Sequence, residues 1–227
     1  KSWVQSNITS GNFNSVHNAN GLWVACGASG LFYSTDGKNW TQSNITSAIY
    51  MTYNANGIWV ACSSSNTGLY YSTDGKSWTQ SNITSGNFNS ACFANGIWVV
   101  CGGGGLYHST DGKTWTQKNL TSGTLNSVYF ANGLWVACSS SNTGLYYSTD
   151  GITWTQSNVK NLTFYSVHNA NGIWVTCGGY GLYYSLDGMT WTLSNIKSGT
   201  FNFVYFANGI WVACSSKGLY YSESVFL

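Results

Sequence analysis

Few side chains in this sequence can carry charge or move a proton. There are five aspartates, one glutamate, three histidines and eight lysines, and arginine does not occur. All five aspartates, Asp36, Asp74, Asp111, Asp150 and Asp187, stand in one pattern, Ser-x-Asp-Gly-x-x-Trp, at intervals of 37 to 39 residues. An aspartate placed this way accepts hydrogen bonds from the amides of its own turn, and the following glycine allows positive φ. That is turn-building chemistry. Glycoside hydrolysis needs two carboxyl groups facing one bond, and the remaining acid, Glu223, has no partner to form such a pair.

The other reactive residues lead no further. His17 and His168 occupy the same position in two repeats, where other repeats carry Tyr53, Cys92, Tyr129 and Tyr205. They read as part of an aromatic and polar lining, and no metal site or cofactor is expected. His108 follows Tyr107 as a tolerated substitution. Six of the seven cysteines share one site: Cys26, Cys62, Cys101, Cys138, Cys177 and Cys214. Equivalent positions on neighbouring repeats lie beyond disulfide reach. Cys92 falls opposite Val99 when counted back from Asn95-Gly96. All seven are read as small buried apolar residues, free of disulfides. Gly102–Gly105 lacks the following helix and lysine of a phosphate loop. Scattered lysines without arginine argue against nucleic acid as a partner.

These residues hang on a repeated framework. A second marker, Asn-Gly-(Leu/Ile)-Trp-Val-x-Cys, occurs six times, with tryptophans at 23, 59, 98, 135, 174 and 211. Asn-Gly is the signal of a two-residue type I′ hairpin. In the first repeat it joins Asn14–Asn20 to Leu22–Ala28. The consecutive apolar run Leu22–Cys26 fits a strand buried on both faces. Gly30–Ser34 reads as a third strand and Asn39–Asn44 as a fourth. Charged residues are 6% of the chain, yet 12 Trp, 16 Tyr and 10 Phe exclude a solvated disordered chain. Apolar runs are too short to span a bilayer.

Six four-stranded antiparallel units with both faces buried define an all-β, six-bladed β-propeller. The expectation is one domain over residues 1–227, a monomer with no membrane insertion. A sixth copy of the aspartate motif is split: Lys1-Ser2-Trp3 supplies its end and Tyr221-Ser222 its beginning. The reading pairs Lys1–Thr9 with the blade formed by Phe201–Ser222, closing the ring by a one-plus-three blade.

The Ser-x-Asp-Gly-x-x-Trp turns resemble the Asp-box of the sialidase and BNR-repeat propellers, although the copies here are one residue shorter between Asp and Trp. The resemblance covers the whole chain. It implies that the boxes are structural and lie on the face away from a catalytic site. Sialidases in that family hold a substrate carboxylate with an arginine cluster and use a Tyr/Glu pair, and this chain lacks those residues. An enzyme of that class is therefore a distant alternative.

A longer period lies over the first. The loops after the cysteine alternate between glycine-rich and serine-rich: units one, three and five against two, four and six. Trp59–Gly75 matches Trp135–Gly151. The ring reads as three copies of a blade pair, a pseudo-threefold repeat. Near-identical copies favour several shallow equivalent sites. The loops between second and third strands, with the segments between blades, are expected on one face. They offer Asn12, Asn66, Thr67, Asn87, Asn142, Thr143 and Tyr180. Amides, hydroxyls and an exposed ring suit a carbohydrate or another cell-surface component, and they equally suit solvated loops. The reading is a lectin-like recognition propeller of phage-tail or bacterial-surface type. Its competitor is an engineered or recently amplified scaffold with no ligand. The compartment stays open between soluble, extracellular and virion-associated.

Overall fold

A computed structural model describes residues 2–118, 120 and 123–222. Lys1 and Glu223 lie outside the described residues. The described residues form strands and turns without any helix, as the sequence reading expects. Two compact units are found, Lys1–Thr116 and Gln117–Leu227.

In the first unit, β1 (Phe13–Ala19), β2 (Leu22–Gly27), β3 (Gly30–Ser34) and β4 (Thr41–Gln42) make one antiparallel sheet in sequence order. The second sheet is β5 (Ile49–Ala55), β6 (Ile58–Ser63), β7 (Leu69–Ser72) and β8 (Thr79–Gln80). The third is β9 (Phe88–Ala94), β10 (Ile97–Gly102), β11 (Gly105–Ser109) and β12 (Thr116–Lys118). The second unit repeats the plan. Its sheets are β13 (Leu125–Ala131), β14 (Leu134–Ser139), β15 (Leu145–Ser148) and β16 (Thr155–Gln156), then β17 (Phe164–Ala170), β18 (Ile173–Gly178), β19 (Gly181–Ser185) and β20 (Thr192–Leu193). The last has three strands, β21 (Phe201–Ala207), β22 (Ile210–Ser215) and β23 (Gly218–Ser222).

Each sheet starts from the hairpin that Asn-Gly dictates. Asn20 and Gly21 have φ of 52° and 78°, and all five later copies match, as a type I′ turn requires. The register then aligns His17 with Val24, and Cys92 with Val99 as counted from the sequence. The apolar second strand divides its residues between two neighbours. In the first unit, Trp59 and Ala61 pack with Val24, Cys26 and Leu31 of the preceding sheet. Val60 and Cys62 pack instead with Phe88, Trp98 and Val100 of the next one. The second unit does the same, with Val136 and Cys138 against Phe164 and Trp174, and Val175 and Cys177 against Phe201 and Trp211. Full burial of one such side chain stabilises by about 1.5–3 kcal/mol.

Three features differ from the sequence reading. The fourth strand of the first sheet is two residues long, not six. The Asp36 carboxylate takes the Asn39 amide and the Asn7 side chain takes that of Trp40, so neither enters the ladder. The loop of the sixth repeat closes in two residues, Ser215 pairing with Gly218, as in the glycine-rich loops where Gly27 pairs with Gly30. Its four-residue Ser-Ser-Lys-Gly matches their length, whereas the six-residue Ser63–Gly68 loop leaves Cys62 pairing with Leu69. Finally, Ser2–Thr9 contain no strand, and Trp3 is 99% exposed. Gln5 Nε2 donates only locally, to the Thr9 carbonyl, and Asn7 makes the segment's bonds to a distant residue, Trp40. In the three-stranded sheet Val204 and Trp211 are buried, while Leu219 and Tyr221 are 76% and 74% exposed.

Candidate functional site

The aspartate turns come first, because they hold nearly all the acid in the chain. In the second sheet, Asp74 Oδ1 accepts the amides of Lys76 and Ser77 at 2.8 Å each, and the Ser72 hydroxyl at 2.8 Å. The same hydroxyl oxygen accepts the amides of Asp74 and Gly75 at 3.2 and 2.8 Å. Asp36, Asp111, Asp150 and Asp187 make the same set. At Asp36 the Asn39 amide, then that of Lys38, holds the carboxyl well below its ordinary value. At Asp150 partial burial is the largest single influence and pushes upward. The amides of Thr153 and Ile152 and the Ser148 hydroxyl together outweigh it and lower the value to about 2. Such groups remain ionised near neutrality and cannot serve as general acids there.

The tryptophan that ends each turn is gripped by a residue that motif reading does not single out. Asn44 Nδ2 donates to the Trp78 carbonyl at 2.8 Å, and the Trp78 amide donates to Asn44 Oδ1 at 2.9 Å. Asn7 holds Trp40, Asn82 holds Trp115 and Asn158 holds Trp191 in the same two-bond manner. The partners stand 33 or 34 residues apart. The signal in the sequence is the recurrent Ser-Asn before an apolar residue, one repeat ahead of each box. Glutamines two residues after the tryptophan add a second tie: Gln42, Gln80 and Gln156 donate from Nε2 to the carbonyls of Ser29, Thr67 and Thr143.

The loop candidates fall into two groups. In the first unit Asn66 and Asn87 meet, the Asn66 amide donating to Asn87 Oδ1 at 2.6 Å and the Gly86 amide to Asn66 Oδ1 at 2.7 Å. A short parallel bridge between Thr67 and Gly86 ties the same two segments. The Thr67 hydroxyl turns inward, 2.8 Å from that of buried Ser63. Asn12 joins its loop through the backbone, its carbonyl accepting the Ala28 amide. In the second unit the Thr163 hydroxyl donates to Asn142 Oδ1 at 2.9 Å, and Thr143 donates to buried Ser139 at 2.7 Å. Thr163 was not singled out by the sequence. Tyr180 is 54% exposed beside its own bridge to Gly199. At these points the loops between second and third strands lie against the segments between sheets. Asn66, Asn87 and Asn142 use their carbonyl oxygens internally and keep amide donors at exposed positions.

The remaining reactive groups are quiet. His17 lies 5.8 Å from Tyr53 and 5.6 Å from Trp59 between ring centroids. In the second unit His168 stands 4.8 Å from Tyr129 and 5.0 Å from Tyr205. Burial lowers both histidines, so the neutral imidazole prevails at pH 7. The cysteines are free thiols. Burial pushes Cys26 and Cys177 up to about 12, and Cys62 and Cys138 higher still, which removes the reactive thiolate. Among the described residues no three metal-ligating side chains converge.

No protein-family profile matches the chain, and no curated protein resembles it in sequence. Likeness to solved structures is broad. The computationally designed Ika8 protein aligns with a TM-score of 0.71 at 11% identity, covering 92% of this chain and 71% of that one. The extracellular domain of the putative one-component system BT4673 from B. thetaiotaomicron aligns with a TM-score of 0.74 at 13% identity, over 96% of this chain and 32% of that one. The Neurospora crassa Pan2 WD40 domain gives a TM-score of 0.68 at 10% identity, over 94% and 76%. An ancestral GH74 enzyme is also similar in fold, so the likeness runs across enzymes and non-enzymes alike. What these structures share with the chain is the fold, and that fold is a β-propeller.

Proposed function

We propose that the chain is a non-enzymatic recognition propeller of the Asp-box type, which binds a carbohydrate or similarly hydroxyl-rich surface component through its loop edge. The observation that carries this is the contrast between the two sets of polar residues. Every aspartate commits its Oδ1 to its own turn, whereas Asn66, Asn87 and Asn142 hold amide donors at exposed, internally braced positions. Bracing matters because a pre-organised donor loses little entropy on binding. Tyr180 supplies an aromatic face at the same kind of loop. Each repeat offers a shallow site, so several weak contacts add by multivalency.

A glycan array followed by titration calorimetry tests the proposal. Binding with more than one site per chain is the expected outcome, with Asn66→Ala and Tyr180→Ala each weakening it about 3- to 10-fold. A blank array from folded protein overturns it in favour of the second reading, a scaffold without ligand. That reading draws on the inward use of Thr67 and Thr143 and on the near-identity of the repeats. A fluorogenic sialoside is expected to show no turnover, since a sialidase would need the arginine cluster and free carboxyl pair that the sequence lacks.

A further inference from the structure

The loop of the fifth repeat lacks the side-chain ties that brace its counterpart in the second. The two loops correspond through equal bridges, Thr67 with Gly86 and Tyr180 with Gly199. In the second repeat Asn66 and Asn87 clasp each other's segments, and Gln80 Nε2 donates to the Thr67 carbonyl at 2.8 Å. Gly179, Thr200 and Leu193 stand at those three places in the fifth. Gln42 and Gln156 make the same tie as Gln80 in the first and fourth repeats. Leu193 pairs with Tyr183 as Gln80 pairs with Tyr70, so its register is unchanged, but it has no donor to offer. The loop is held by backbone instead, the Gly179 amide donating to Thr163 and the Gly181 amide to Gly199.

These replacements leave an apolar face beside open polar groups. Tyr180 is 54% exposed and Leu193 37%. A side chain at the Leu193 position runs toward the loop carbonyl, as Gln80 does toward that of Thr67, which sets the Leu193 methyl groups beside Tyr180. Among the described residues no hydrogen bond reaches the Tyr180 carbonyl. The bridge to Gly199 sets Ser198 and Thr200 on either side of it. Both are exposed, and their hydroxyls likewise have no partner among the described residues. Residues 178–181 and 193–200 include no carboxylate and a single cation, Lys197.

We infer that this loop is the principal saccharide subsite of the chain, and that it takes a neutral pyranose by its flat C–H face. The inference rests on the carbohydrate reading above and narrows it to one repeat and one ligand geometry. A pyranose carries C–H groups on its face and hydroxyls around its rim. The Tyr180 ring and the Leu193 methyl groups cover the face and remove it from water. The Tyr180 carbonyl accepts a rim hydroxyl, and Ser198 and Thr200 exchange hydrogen bonds with its neighbours. A glutamine at 193 would occupy that carbonyl with its own amide. Leucine therefore adds apolar contact and leaves the acceptor open. The first, second and fourth repeats, with Ser29, Thr67 and Thr143 in place of Tyr180 and a glutamine in place of Leu193, offer neither.

NMR titration of the intact chain with methyl hexopyranosides tests the inference. Leu193→Gln and Tyr180→Thr each restore a residue that the second repeat already carries at that place, so both variants keep the fold. The parent is expected to show saturation transfer strongest at the protons of one pyranose face, and each variant to bind about tenfold more weakly. Gln42→Leu opens the Ser29 carbonyl without supplying a ring and should leave the affinity unchanged. Equal affinity in the parent, Leu193→Gln and Tyr180→Thr overturns this inference and leaves the carbohydrate reading standing. Loss in Tyr180→Thr alone also overturns it, because the ring would then act without the open carbonyl. A parent that binds neither the pyranosides nor any arrayed glycan defeats both.

Discussion

Aspartate is the only acid that this chain repeats, and each copy acts as a fixed acceptor. The folded-state carboxyls sit below the ordinary aspartate value of 3.8, with Asp150 at about 2. The sign follows from linkage: a depressed folded value means the unfolded chain binds protons more readily. Stability from these groups is therefore complete above about pH 4 and is lost as pH falls toward 2. Thermal midpoints measured from pH 6 to 2 are expected to be flat at first and to drop below pH 4. Asp150→Asn keeps a side-chain carbonyl acceptor and should blunt that drop. Ser72→Ala removes the acceptor of two amides, one of them buried, and should cost about 1–3 kcal/mol in chemical denaturation. The role of the aspartates was legible in the sequence from the Ser-x-Asp-Gly spacing. The grip of Asn44 on Trp78 was not, because its two partners are 34 residues apart and belong to different repeats.

Glycine does two separable jobs within the sheets. In the hairpin, Gly57 has φ of 76° with nothing within 4 Å of an added Cβ, so conformation alone calls for it. In the aspartate turn, Gly75 has φ of 70°, and a Cβ there would lie 2.5 Å from Leu22 Cδ2 and 3.0 Å from Trp59 Nε1. Gly57→Ala should cost the left-handed penalty of about 1–2 kcal/mol. Gly75→Ala should cost visibly more, the excess measuring contact with the preceding sheet. Equal losses in urea titrations of the two variants would remove the packing role. Hairpins and their register were readable because Asn-Gly fixes them locally, as the Cys92–Val99 pairing illustrates. The short fourth strand was not readable. Alternating Thr and Gln suggest a longer ladder, and only the folded contacts reveal that Asn39 and Trp40 have given their amides elsewhere.

For the chain as a whole, repetition made the fold legible and the function obscure. Six copies of one hairpin and five of one turn specify a propeller without any reference to a ligand. The loops depend on side chains that the same repetition makes uniform: Asn66 and Asn142 are equivalent, yet one is braced by Asn87 and the other by Thr163. That difference arises between repeats and cannot be seen within one.

The asparagine grip has a consequence for how such a chain grows. Each grip reaches from one copy to the next and no further, so it reads only the identity of its immediate successor. A gene that gains or loses a whole copy by unequal recombination leaves every internal grip with a correct partner. Local contacts thus contain no counter.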